Sequence, residues 1–167
     1  SWFVLSGRAQ QASAAIHQQF LRITAQSGFT VENILIEGRV NTNAGIVMAL
    51  LNTDQGDPLF GFDATSAQAQ LQKIAWVDQA LVQRRWPDTI YIHLTERKPL
   101  ARFQRGETIV LIDQDGKAIT DFALERFADY PLLSGNGAAE HAPALFDTLT
   151  GQPIIAGRII AGERISN

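Results

Sequence analysis

Apolar positions fall into short runs whose period changes along the chain. In AQQASAAIHQQFLRITAQS (9–27) they recur at Ala12, Ile16, Phe20 and Ile23, a helical spacing, and Gly28 stands just past the end. The stripe is narrow and its other faces are rich in Gln, so this helix needs a neighbour to pack on. TVENILIEG (30–38) alternates and is β-branched, which predicts a strand closed by Gly38. NTNAGIVMALLN (41–52) opens on Asn41 or Thr42 as a cap. Ile46, Val47, Leu50 and Leu51 then form one apolar face, so a short helix is expected. TDQGDPLFGFD (53–63) is dense in Gly, Pro and Asp and reads as a loop. A second helix follows over 64–75, capped by Asp63, with Ala67, Leu71 and Ile74 facing inward.

WVDQALVQRRW (76–86) and TIYIHLTER (89–97) are strand-like runs joined through Pro87-Asp88. Ile90, Ile92 and Leu94 repeat at period two, so the second strand covers a core with one face. The pattern over 29–98 is β-α-α-β-β: a hairpin and a third strand in one sheet, with two helices on one face, an α+β arrangement. Trp86 and Trp86's counterpart Trp76 bracket the first strand of the hairpin and read as anchors packed under the helices.

Beyond Lys98-Pro99 the pattern changes. ETIVLID (107–113) and GKAIT (116–120) predict a hairpin around Gln114-Asp115-Gly116. Residues 121–131 offer a helical turn capped by Asp121, and 132–137 start as a strand and end in a loop. A helix is expected from about Pro143, with Gly151 near its end. PIIAGRIIAGERISN (153–167) reads as the start of another strand system. No internal repeat or low-complexity tract is present.

The charge pattern narrows the chemistry. Formal net charge is −3, with eight Lys/Arg against eight Asp/Glu in residues 1–100 and six against nine in 101–167. No segment is basic enough to make nucleic acid the main ligand. Cysteine is absent, which removes disulfides, thiolate zinc sites and iron–sulfur ligation. The tripeptide Trp86-Pro87-Asp88 matches the acid loop of tyrosine phosphatases, but that reaction needs a thiolate nucleophile. Asp88 therefore reads as turn chemistry: Pro87 presets φ, and the carboxylate accepts a nearby backbone N–H.

His17, His93 and His141 are scattered among elements, and His93 and Glu96 fall on opposite faces of a strand. Asp113 and Asp115 match the start of a calcium loop, but Lys117 and Leu124 stand where oxygen donors are required. Gly135-Asn136-Gly137 lacks the strand–helix setting of a dinucleotide fingerprint, and Ser134-Gly135 lacks the upstream Gly of a nucleophile elbow. No enzyme constellation, cofactor or metal site is expected, which leaves a binding or scaffold module. The longest apolar runs are too short to span a bilayer. The opening SWFVLSGR is either a hydrophobic staple for the first helix or the outer end of a span lying upstream.

Several motifs, in order, resemble the FtsQ/DivIB family of bacterial division proteins. They are Phe29-Thr30-Val31-Glu32-Asn33, Glu37-Gly38-Arg39, Gly56-Asp57-Pro58-Leu59, the stretch from Leu71 through Ile74, Trp76 and Ala80, and the run Arg85-Trp86-Pro87-Asp88-Thr89-Ile90 continuing to Glu96, Arg97 and Pro99. Leu111-Ile112-Asp113 with Gly116 extends the match. The resemblance implies a juxtamembrane helical segment over 1–27, a POTRA domain over 28–99 with a three-stranded mixed sheet, and a mostly β domain over 100–167 that is incomplete.

It further implies a non-enzymatic divisome scaffold in the inner membrane. One span lies before residue 1, this part faces the periplasm, and FtsB, FtsL and FtsK are partners. The strand that pairs with FtsB is expected beyond residue 167, after Gly162-Glu163-Arg164. Gly38, Trp76, Trp86, Pro87, Asp88, Glu96 and Pro99 are its structural motif residues, and Glu96 and Arg97 are candidates for an ion pair at the domain joint. In a unit of this form the 77–85 strand is expected at a sheet edge, where Gln79, Val82 and Arg84 are candidate partner contacts. The competing possibility for these three is that Val82 is core and the arginines are solvated. A second functional class is a POTRA chaperone segment of an outer-membrane assembly or secretion protein, which requires POTRA repeats followed by a barrel.

Overall fold

The computed structural model describes residues 16–25, 27–150 and 161–163. The chain divides into two compact units, Ser1–Thr95 and Glu96–Asn167. In the first, helix α1 (16–25) leads through a turn at Ser27 and Gly28 into strand β1 (Asn33–Glu37). Helices α2 (Ala44–Leu51) and α3 (Ala64–Leu71) follow, then β2 (Val77–Arg85) and β3 (Thr89–Glu96). The sheet order is β1-β3-β2. β1 runs parallel to β3, with Ile34 opposite Ile90 and Ile36 opposite Ile92, while β2 and β3 are joined by only three residues and fold back as a hairpin. The result is the expected mixed three-stranded sheet.

One sheet face and both helices share a core. Ile90, Ile92 and Leu94 from β3, Ala80 and Val82 from β2, Val47 and Leu51 from α2, and Ala67 and Leu71 from α3 form one buried cluster. Each fully buried aliphatic side chain there contributes about 1.5–3 kcal/mol. The loop over 53–63 is tied down rather than free. Val31 N–H donates to the Asp57 carbonyl (2.8 Å), Gly56 N–H to Val31 (2.8 Å) and Leu59 N–H to Phe29 (2.9 Å). Two motifs 25 or so residues apart thus meet as a short ladder, and the turn Leu59–Gly61 is 3₁₀.

Local details depart from the expectations. The cap of α2 is Asn43, not Asn41 or Thr42: its Oδ1 accepts from Gly45 N–H (2.7 Å) and Ile46 N–H (3.3 Å), two of the orphan donors of the first turn. Ile46 is exposed, so the apolar face of α2 is narrower than its composition. Asp63 caps α3 as expected, accepting from Ser66 N–H. That helix ends at Leu71 instead of Ala75, because Lys73 and Ile74 bond three residues back and tighten the chain into a turn.

The second unit is a five-stranded sheet in the order β6-β5-β4-β7-β8, with strands β4 (Pro99–Arg105), β5 (Thr108–Asp113), β6 (Ala118–Thr120), β7 (Leu132–Ser134) and β8 (Ala161–Glu163). β4–β5 and β5–β6 are antiparallel; β4–β7 and β7–β8 are parallel. Helix α4 (Ala138–Thr150) packs Ala138, Ala139 and Ala142 against Ala101, Val110, Ile112 and Leu133.

Three expectations are corrected here. PLARFQR was not predicted as a strand, yet it is the central β4. α4 begins at Ala138, five residues before Pro143, which sits inside the helix rather than at its start. The turn Leu124–Phe127 has Ala123 at its N-terminal boundary with φ +53° and no side-chain cap, so Asp121 does not cap it. Gly151 and most of 153–167, like SWFVLSGR, lie outside the described residues.

Candidate interaction edge

β2 is an outer strand of its sheet: among the described residues its one neighbour in the ladder is β3. Outward-turned N–H and C=O groups therefore alternate along its free side. Val77, Ala80 and Val82 are buried, whereas Gln79, Gln83 and Arg84 are exposed. Val82 belongs to the core cluster. Its side chain supports the strand from below, and of the three candidate contacts only Gln79 and Arg84 present side chains outward. Arg84 Nη1 donates to the Phe60 carbonyl (3.3 Å), which holds the guanidinium near the strand. A groove of about 540 Å³ lined by Phe60, Ala64, Val82, Gln83, Arg84 and Trp86 runs beside this edge.

Trp86 is not a buried anchor. It is 71% exposed and caps a cluster of rings, 5.6 Å from Phe60 and 6.0 Å from Phe29, both edge-on. Phe60 also meets Phe29 (5.5 Å) and Phe20 of α1 (5.7 Å). Trp76 is half-buried. The Trp86–Pro87 peptide is cis. Asp88 commits its polar groups to the fold. Its carbonyl accepts from Glu32 N–H (2.9 Å) and Asn33 N–H (3.2 Å), and its Oδ1 from Thr89 Oγ1 (2.7 Å) and Asn33 Nδ2 (3.4 Å). The turn of the hairpin thereby clamps the entry to β1.

On the opposite sheet face Tyr91 O–H donates to Glu37 Oε2 (2.7 Å), and the Arg85 guanidinium lies over the Tyr91 ring, 3.2 Å from its centre. The Glu37 hydrogen bond, with burial and the Glu37 charge behind it, raises the Tyr91 pKa above its usual 10.0, against the pull of Arg85. Sequence reading missed this network. The signal was present, since Tyr91 alternates with Ile90 and Ile92 and must face away from the core.

Glu96 ends β3 and Pro99 begins β4 opposite Asp113. Arg97 pairs with Asp113 at 2.8 Å, and Asp113 Oδ1 also accepts the N–H groups of Asp115 (2.9 Å) and Lys117 (2.8 Å). The acidic pair of the apparent calcium loop is thus a hairpin pin. Gly38 turns the chain after β1 with φ +78°.

Among the described residues no group of three or more His, Asp or Glu is placed to hold a metal ion. A second groove, of about 500 Å³, holds Asp57 and Asp63. Asp57 Oδ2 accepts from Thr53 Oγ1 and Asp54 N–H, and Asp63 Oδ1 accepts from Ser66 N–H, so each carboxylate has a local structural role.

Residues 29–97 match the family described as "POTRA domain, FtsQ-type". The chain is 31% identical over 144 residues to the cell division protein FtsQ of Rickettsia conorii, covering 86% of this chain and 54% of that protein. Residues 29–97 belong to the FtsQ-type POTRA family, and the chain as a whole is similar to FtsQ cell-division proteins. The similarity recurs with FtsQ of Agrobacterium fabrum, 29% identical over 143 residues, covering 86% of this chain and 45% of the relative. FtsQ of Caulobacter vibrioides is 28% identical over 158 residues, covering 95% and 52%. The chain thus spans about half the length of the curated FtsQ proteins it matches. Residues 29–97 form an FtsQ-type POTRA domain, in which β2 pairs only with β3 among the described residues.

Proposed function

We propose that the chain is a non-enzymatic scaffold of the division machinery, carried by an inner-membrane protein and exposed to the periplasm, that links early and late division proteins by strand addition. FtsB, FtsL and FtsK are its partners under this reading, and the β2 edge of the POTRA sheet receives an extended segment from one of them. The free ladder side of Val77–Arg85 carries the proposal. Main-chain hydrogen bonds would supply affinity, and Gln79 with Arg84 would select a polar or acidic neighbour. The hydrogen bonds that Asp57, Asp63, Asp88 and Asp113 accept within caps and turns support a structural role for these carboxylates. The alternative POTRA chaperone has less support: after its POTRA unit the chain continues as a five-stranded sheet of different topology.

Recruitment to the division site tests the edge. Arg84→Glu combined with Gln79→Glu should abolish it while changing stability by no more than about 0.5 kcal/mol, as expected for exposed positions. Folded variants that localise normally would remove the edge from the proposal. Val82→Ala is not a contact test, since it hollows the core and should cost about 1–3 kcal/mol.

A further inference from the structure

Helix α1 carries apolar side chains on two sides. Leu21 is half-buried against Gly61, which seats the helix on the POTRA domain. Ile16, Phe20 and Ile23 point outward and are 71, 49 and 56% exposed. Spaced by four and three residues, they form one stripe. It continues off the helix, because the Phe20 ring meets Phe60 and Phe60 meets the exposed Trp86. Exposed large apolar side chains that adjoin one another in this way are characteristic of a contact surface.

The charges around it select the partner. No acidic residue precedes Glu32 in the sequence, while Arg8, His17 and Arg22 are present. Arg22 is exposed on α1, and Arg84 borders the far end beside Phe60. Asp88, next to Trp86, is half-buried and accepts from Thr89 Oγ1 and Asn33 Nδ2, while Asp57 and Asp63 lie in the groove on the Leu21 side of α1. Aliphatic and aromatic groups rimmed by arginine, with Trp at the margin, match a lipid–water interface with anionic headgroups. Among the described residues no helix is long and apolar enough to cross a membrane, and the described turns of α1 can lie along such an interface.

We propose that the outer face of α1, extended by Trp86, is a membrane-surface contact: Ile16, Phe20 and Ile23 enter the acyl boundary, and Arg22 and Arg84 meet lipid phosphates. This contact belongs to the folded domain itself; it shares Arg84 with the strand-addition edge, whereas Ile16, Phe20, Arg22 and Ile23 lie on α1.

Flotation of the full chain with phosphatidylcholine vesicles, with and without phosphatidylglycerol, tests it. The parent should float with the anionic vesicles, and less so at high salt. Phe20→Ser with Ile23→Ser should lower partitioning at least about tenfold. Should that pair of substitutions disturb folding, Arg22→Glu decides, because charge reversal at an exposed site should weaken binding to anionic vesicles alone. Three results would overturn the proposal: a parent that ignores vesicles, variants that bind like the parent, or a parent that dimerises without lipid through a contact these variants break. The second would assign binding to another part of the chain, and the third would make the face a seat for a second copy.

Discussion

At Gly38 the chain leaves β1 directly beneath the Leu94 carbonyl, and a Cβ there would collide with that oxygen. The positive φ adds backbone strain for any L side chain. Gly38→Ala should therefore lower unfolding free energy by about 2 kcal/mol or more, read from urea denaturation. Asp113 is a buried acceptor for Arg97 and two turn amides. Asp113→Ala takes a buried counter-charge from Arg97 and should cost about 3–5 kcal/mol in the same measurement. Asp113→Asn, which keeps an oxygen for the turn, should cost less.

Tyr91 makes a prediction in pH. Its folded-state pKa is raised, chiefly by the Glu37 hydrogen bond, so the folded form keeps a proton that the unfolded chain releases near 10.0. That stabilisation is complete below this value and is lost as pH rises through the raised pKa. Tyr91→Phe should therefore show a flatter loss of stability above about pH 10 than the parent.

At the scale of elements, those with strong period or clear punctuation were legible. The alternation of Ile90, Ile92 and Leu94 placed β3 on the core, and Asp63 marked the start of α3. Asp63→Ala should cost about 1 kcal/mol and Asn43→Ala a similar amount, because each leaves first-turn amides unsatisfied; thermal or urea unfolding checks both. β4 escaped because PLARFQR opens on Pro and never alternates cleanly. Ala101 is buried, Leu100, Arg102 and Phe103 are half-buried, and the pairing with β5 shifts register between Pro99 and Ala101. Tertiary pairing on both sides makes it a strand, and such pairing leaves little trace in a single stretch. α4 was placed late for a related reason. Pro143 suggested a first-turn position, but packing of Ala138, Ala139 and Ala142 on the sheet extends the helix ahead of it.

At the scale of the whole molecule, the β-α-α-β-β order of the first unit and the edge position of β2 are legible in the sequence. The aromatic surface is not, since it assembles Phe20, Phe29, Phe60 and Trp86 from four separate segments. The size of Trp86 predicts an anchor packed under the helices; it instead sits in the turn after β2 and is exposed. The two compact units lead to a further expectation. A fragment of residues 28–99 holds the complete first core and should unfold in one cooperative transition, seen as coincident fluorescence and circular-dichroism curves.

The position of β3 also governs when the domain can form. β1 and β2 each neighbour β3 and never each other, yet β3 is the last of the three along the chain. During synthesis, the described residues before Thr89 hold β1 and β2, which do not pair with each other. Closure of the sheet waits for Thr89–Glu96 to emerge, so its outer strands stay unpaired until almost the whole domain has been made.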